Sequence, residues 1–149
     1  LHHNFSELTM EAIIRYTDGV KFETECRGIK VLCDQPRAGG GEDAGLSPPE
    51  LLLASLGTCA GYYALQYLKT RSLPTDGLQV RVSAEKAVNP ARLGSFRIEV
   101  TAPVDDERHR EGLLRAIKSC LVHNTLLHQP QIDTVISDQI ASGHYLKRN

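Results

Sequence analysis

The sequence predicts a single α+β domain with mainly antiparallel strand pairing. Strand-like segments come in groups rather than alternating strictly with helices, in the order β-β-β-α-β-β-α-β. Tight-turn signals separate the grouped strands, and two longer segments carry helical periodicity. A chain of 149 residues is long enough for one domain with a hydrophobic core.

Composition narrows the function classes. With 41% hydrophobic and 23% charged residues, the chain reads as an ordinary soluble globular protein. The formal net charge is -1 and there is no basic stripe, so neither nucleic acid nor a membrane surface is expected as a partner. No apolar run approaches the roughly 18 residues that a membrane helix needs. The opening "LHHNFSELT" holds His2 and His3 and lacks a charged-then-apolar signal pattern. It reads as an expression-tag remnant over residues 1–9, with residues 10–149 as the single domain and Met10 as the native start.

Residues 11 to 33 read as three strands, "EAIIRYT", "VKFETEC" and "IKVLC", rich in β-branched and aromatic residues. Asp18-Gly19 and Arg27-Gly28 punctuate them as hairpin turns, which predicts an antiparallel meander. A two-residue turn at Arg27-Gly28 pairs Cys26 with Ile29 and leaves Cys26 and Cys33 as structural thiols. The next segment, "DQPRAGGGEDAGL", reads as a mobile loop, because three consecutive glycines argue against regular structure.

A long helix is expected over 47 to about 71. Ser47 can cap it, Pro48 suits its first turn, and Glu50 completes a capping box. Leu51, Leu52, Leu53, Leu56, Leu65 and Leu68 put apolar groups on nearly every face, so the helix must be buried on most sides. Ala54, Ser55, Gly57, Thr58, Ala60 and Gly61 let another element approach closely.

Two strands follow, at 78–88 and 94–104, with a turn between them. Asp105 or Asp106 then caps a second helix, "ERHREGLLRAIKSCLVHN". Leu113, Leu114, Ile117, Cys120 and Leu121 recur on its apolar face, with Cys120 near its end and His109 solvated in its first turn. A last strand, "IDTVISDQI", closes the domain, and His144 falls in the tail.

The four cysteines, Cys26, Cys33, Cys59 and Cys120, match no zinc spacing and are too scattered for a secreted disulfide scaffold. A cytoplasmic chain with reduced thiols is the expectation. His123 and His128 lack further ligands at metal spacing, so no metal and no cofactor are expected. Cys59 and Cys120 lie on the buried faces of the two helices, which would make their sulfurs neighbours if the helices pack together. Such a pair can reduce a peroxide through a sulfenic acid that closes to a disulfide. Each can equally be a small packing group.

The motifs "SPPELLLASLGTCAGYYALQYLKTR" and, about sixty residues later, "AIKSCLVHNTL" resemble the OsmC/Ohr family of thiol peroxidases. The resemblance covers the chain from Met10 to the last strand. It implies an OsmC-like fold in which an antiparallel sheet wraps around two central helices in an intertwined homodimer. It also implies reduction of organic hydroperoxides, with Cys59 as the peroxidatic and Cys120 as the resolving cysteine, and an external dithiol as reductant. Glu50 matches the family's glutamate. Nine residues of regular helix place Glu50 about 13 Å along the axis from Cys59 and on the opposite face, so it would have to serve a partner's site. Cys59 is too deep in its helix for the helix dipole, so its thiolate needs a nearby cation. Arg15, Arg27 and Arg37 are candidates, and Arg37, in the loop before the helix, is the first choice. Leu52, Leu56, Tyr62 and Tyr63 would line an apolar substrate site. The alternatives are a non-catalytic binding protein of the same fold, with an apolar interface pocket, and a redox sensor.

Overall fold

A computed structural model describes residues 9–137. Apart from Thr9, the expected tag remnant lies outside the described residues, as does His144. The elements are β1 (Ile13–Tyr16), β2 (Phe22–Cys26), β3 (Ile29–Cys33), a 3-10 helix (Arg37–Gly39), α1 (Pro48–Thr70), β4 (Gln79–Ala87), β5 (Arg92–Thr101), α2 (Glu107–Ile117) and α3 (Leu121–Leu127). They form two antiparallel sheets, β1-β2-β3 and β4-β5.

The meander follows the sequence. Arg27 and Gly28 both take positive φ, 52° and 79°, as a two-residue turn matched to strand twist requires. Cys26 consequently faces Ile29. The register gathers the charges on one face, together with Ile13 and Leu32. Arg15, Glu23, Glu25 and Lys30 share one face and form the pairs Arg15–Glu25 and Lys30–Glu23, each at 2.8 Å. Ile14, Tyr16, Phe22 and Val31 share the other. That apolar face is open, with Ile14 56% and Tyr16 64% exposed.

The loop after β3 differs from the mobile, irregular segment expected. It is folded around Asp34, a fully buried carboxylate that accepts the backbone N–H groups of Gln35 (2.8 Å), Glu42 (2.9 Å) and Ala44 (3.0 Å). Part of it is regular, since Gly39 ends the 3-10 helix. Gly41 is glycine for lack of room, because a Cβ there would collide with the Gln35 carbonyl. The Lys21–Glu42 ion pair at 2.7 Å ties the loop to the first hairpin.

Helix α1 begins with the predicted capping box. Its small residues admit β4: Gly57 and Gly61 lie against the side chains of Val82 and Val80. Helix α2 covers its C-terminal half, where Ala60, Ala64, Tyr67 and Leu68 pack with Leu113 and Ile117. The ring of Tyr67 fits against α2 only because residue 112 is glycine.

Two elements correct the sequence reading. The second helix does not run through Cys120. It stops at Ile117, the chain tightens through Ser119 N–H to Ala116 O (3.0 Å) and Cys120 N–H to Ile117 O (3.0 Å), and α3 starts afresh. Cys120 is therefore an N-cap, and Leu114 and Leu121 are exposed rather than on the buried face. The expected last strand is irregular over 132–137, and its remainder lies outside the described residues.

Gly112→Ala should destabilise the protein despite the better helix propensity of alanine. The collision with Tyr67 is an overpacking of about 1–3 kcal/mol, against a propensity gain of about 1 kcal/mol. Urea denaturation of the two proteins measures the difference.

Candidate functional site

Cys59 lies in the middle of α1 and is half-buried, whereas Cys120 is completely buried where α3 packs onto α1. The Cys59 thiol is near enough to Cys120 to act on its titration. All four cysteines are free thiols. Burial, and then the neighbouring Cys59 thiol, push the Cys120 thiol pKa up from its usual 9.0. Its place at the N-cap works the other way, since the Cys120 sulfur accepts the His123 N–H at 3.4 Å. The pair thus consists of one sulfur reachable from solvent and one shielded, protonated sulfur behind it.

Helical spacing puts Leu52, Leu56, Tyr62 and Tyr63 on the face around Cys59. Leu56 is buried, Leu52 and Tyr63 are half-buried, and Tyr62 is exposed. The two tyrosine rings meet edge to face, with centroids 5.6 Å apart.

The charged residues predicted for the site do not join the cysteines of their own chain. The Glu50 carboxylate turns back to Ser47, taking its N–H at 2.8 Å and its hydroxyl at 2.7 Å. These bonds hold its pKa below the usual carboxylate value. The helix is regular from Pro48 to Thr70, so the axial separation of about 13 Å from Cys59 applies. Arg37 is 80% exposed and pairs with Asp43 at 3.6 Å. Arg15 pairs with Glu25, and Arg27 occupies the tip of a hairpin.

One residue went unnoticed in the sequence and another was placed wrongly. Asp34 organises the loop that carries Arg37. Its signal was an aspartate placed between an apolar strand and a glycine-rich turn, where its carboxylate can collect backbone donors. His109, expected in solvent, is half-buried: its Nδ1 is 3.1 Å from the Tyr67 hydroxyl. Among the described residues there is no cluster of histidine, cysteine or carboxylate groups that could hold a metal, and no helix long and apolar enough to cross a membrane.

Residues 39–135 match the family described as OsmC-like protein. The chain belongs to the OsmC-like family. Solved structures share the fold of this OsmC-like chain. A proposed osmotic-stress-induced and detoxification response protein of Psychrobacter arcticus superposes with a TM-score of 0.70 at 18% identity, over 76% of this chain and 85% of the other. An OsmC-like protein of Mycoplasma pneumoniae gives 0.68 at 18% identity, over 81% and 89%. An organic hydroperoxide resistance protein of Elizabethkingia anophelis gives 0.56 at 19% identity, over 81% and 89%. No curated protein matches the chain.

Two measurements test this geometry. Iodoacetamide should label Cys26 and Cys59 of the reduced native protein well before Cys33 and Cys120, as peptide mapping over time would show. The backbone hydrogen bonds to Asp34 lower its pKa from 3.8 despite the opposing effect of burial, so the unfolded chain binds its proton more readily. The stability that this group contributes is full above its unfolded pKa and is lost as pH falls below it. Urea unfolding at about pH 7 and about pH 3 should show Asp34→Asn less stable at the higher pH, with part of the acid sensitivity removed.

Proposed function

We propose that this OsmC-like protein is a thiol peroxidase that reduces organic hydroperoxides. The observation that carries the reading is the pair itself, a half-buried Cys59 with a fully buried Cys120 thiol beside it. The Cys59 thiolate attacks the terminal peroxide oxygen, the O–O bond breaks, and the alkoxide leaves, taking a proton from solvent, as the alcohol ROH. Cys59 is left as a sulfenic acid. The Cys120 sulfur then attacks it, forming the Cys59–Cys120 disulfide and releasing water. An external dithiol returns both cysteines to thiols, and no cofactor takes part. Leu52, Leu56, Tyr62 and Tyr63 favour an apolar peroxide over hydrogen peroxide.

The working unit in this reading is a cytoplasmic homodimer. The open apolar face of the meander, formed by Ile14, Tyr16, Phe22 and Val31, supports a second copy as its cover. The distance and direction of Glu50 from its own Cys59 support a site built across two chains. There the partner's loop and helix start supply the Arg37 and Glu50 counterparts that favour the Cys59 thiolate.

Treating reduced protein with one equivalent of cumene hydroperoxide should lower the intact mass by about two units, as loss of two thiol hydrogens requires. Peptide mapping should place the link between Cys59 and Cys120. Unchanged mass, or oxidation spread evenly over Cys26 and Cys33, would leave Cys59 as a packing group. Replacing Ile14 and Val31 together by glutamate should convert a dimer into monomers by light scattering and reduce peroxide turnover at least tenfold.

A further inference from the structure

Beside the cysteine pair lies an open groove of about 790 Å3 between α1 and α2. One wall is Tyr63, Tyr67 and Thr70 of α1 with Arg71 at its C-cap, and the other is Arg108 and Arg115 of α2 with Ser119 just beyond its end. The cysteines are not among its lining residues, but each wall ends close to one of them along the chain. One helical turn before Tyr63 is Cys59, and the residue after Ser119 is Cys120.

The groove is cationic. Arg71, Arg108 and Arg115 line it together with His109, and no carboxylate is among its lining residues. This is a local concentration in a chain of net charge -1. Two carboxylates reach only its rim: Glu111 pairs with Arg115 at 3.6 Å, and Asp106 stands 3.7 Å from His109. Arg108 has no ion pair among the described residues. Arg71 is held in place without an acid, its guanidinium 3.8 Å from the centroid of the Tyr67 ring and its Nη1 donating to Thr70 Oγ1 at 3.2 Å. A fixed guanidinium with unused donors is poised for carboxylates.

We propose that this groove is the docking track for the reductant, and that the reductant is an acidic protein carrying its own dithiol. The proposal rests on the thiol-peroxidase reading and adds the partner's chemistry. From Tyr63 to Arg71 the wall is about 12 Å long, which suits an extended acidic segment better than a single small thiol. A segment lying there delivers its thiolate to Cys59, the half-buried sulfur of the disulfide. Attack forms a mixed disulfide and expels Cys120, which takes a proton. The second thiol of the reductant then attacks the mixed disulfide and releases Cys59, which takes the other proton. The reductant gives up two electrons and leaves as a disulfide.

The test uses the full chain with its disulfide formed, by peroxide or independently by diamide. Two synthetic dithiol peptides, identical except for flanking aspartates or flanking lysines, serve as probes, with dithiothreitol as the neutral control. The acidic peptide should reduce the protein about tenfold faster than the basic one at low salt, an advantage lost at about 0.5 M salt. The triple variant Arg71→Gln, Arg108→Gln, Arg115→Gln should lose that advantage and keep the dithiothreitol rate. Equal rates for the two peptides, or an advantage that survives in the variant, would overturn the proposal. Fluorescence anisotropy of the labelled acidic peptide with reduced protein needs no disulfide. It should show binding that depends on the same arginines, and its absence would sink the docking track whatever the fate of the peroxidase reading. If the peptide binds and diamide forms the disulfide but peroxide does not, the peroxidase reading alone has failed.

Discussion

The structure depends on burying one helix from several directions at once. Helix α1 is 23 residues long and apolar on nearly every side, and no single layer can cover such a cylinder. The chain covers it in pieces. The β4-β5 hairpin closes over Gly57 and Gly61, α2 closes over the Ala60 to Leu68 half, and α3 seals the region of Cys59. Small residues set how near each piece approaches, and they lie on the side where β4 arrives. The setting of Cys59, the reactive position of the proposed function, follows from the same constraint. Cys59 stands where the cover passes from one element to another, so it is shielded without being sealed.

The break between α2 and α3 matters for the proposed chemistry more than for packing. Had the second helix continued, Cys120 would have sat in a helix interior. The turn through Lys118 and Ser119 instead makes Cys120 the first cap of a new helix and points its sulfur at α1. The N–H groups of Val122 and His123 then offset part of the rise in thiol pKa that burial imposes. The resolving role proposed for Cys120 needs this balance. Its thiol must stay protonated and protected while Cys59 reacts, yet be able to shed its proton once a sulfenic acid stands beside it.

How much of this was legible follows from the range of each interaction. The meander, the capping box and the close approach along α1 were readable because local residue chemistry decides them: Arg27-Gly28 for a turn, Ser47 with Glu50 for a cap, Gly57 and Gly61 for contact. The α2–α3 break was not. Leu113, Ile117 and Cys120 keep a helical rhythm across it, and neither glycine nor proline marks the stop. Asp34 was missed for a related reason. Its three backbone donors come from residues one, eight and ten positions away, and a glycine-rich composition suggests looseness where the backbone is in fact gathered around a carboxylate. The cysteine pair lies between these cases, since helical faces placed each sulfur and the helix-to-helix packing had to be inferred.

What one chain leaves undone is also informative. Its meander has a charged face with satisfied cross-strand pairs and an apolar face with no cover among the described residues, an asymmetry that costs free energy unless something apolar sits on it. Its Glu50 is fixed to Ser47 at the start of a straight helix and cannot bend toward Cys59 nine residues on. Arg37 is carried by a loop whose folding is enforced from within by Asp34, so the guanidinium is presented outward rather than left to search. An uncovered apolar sheet, a carboxylate at the wrong end of its own helix and an outward cation on a folded loop are three separate deficits. In the proposed homodimer a second copy would answer all three with one interface, since an isologous contact brings the same surface of each chain to the other.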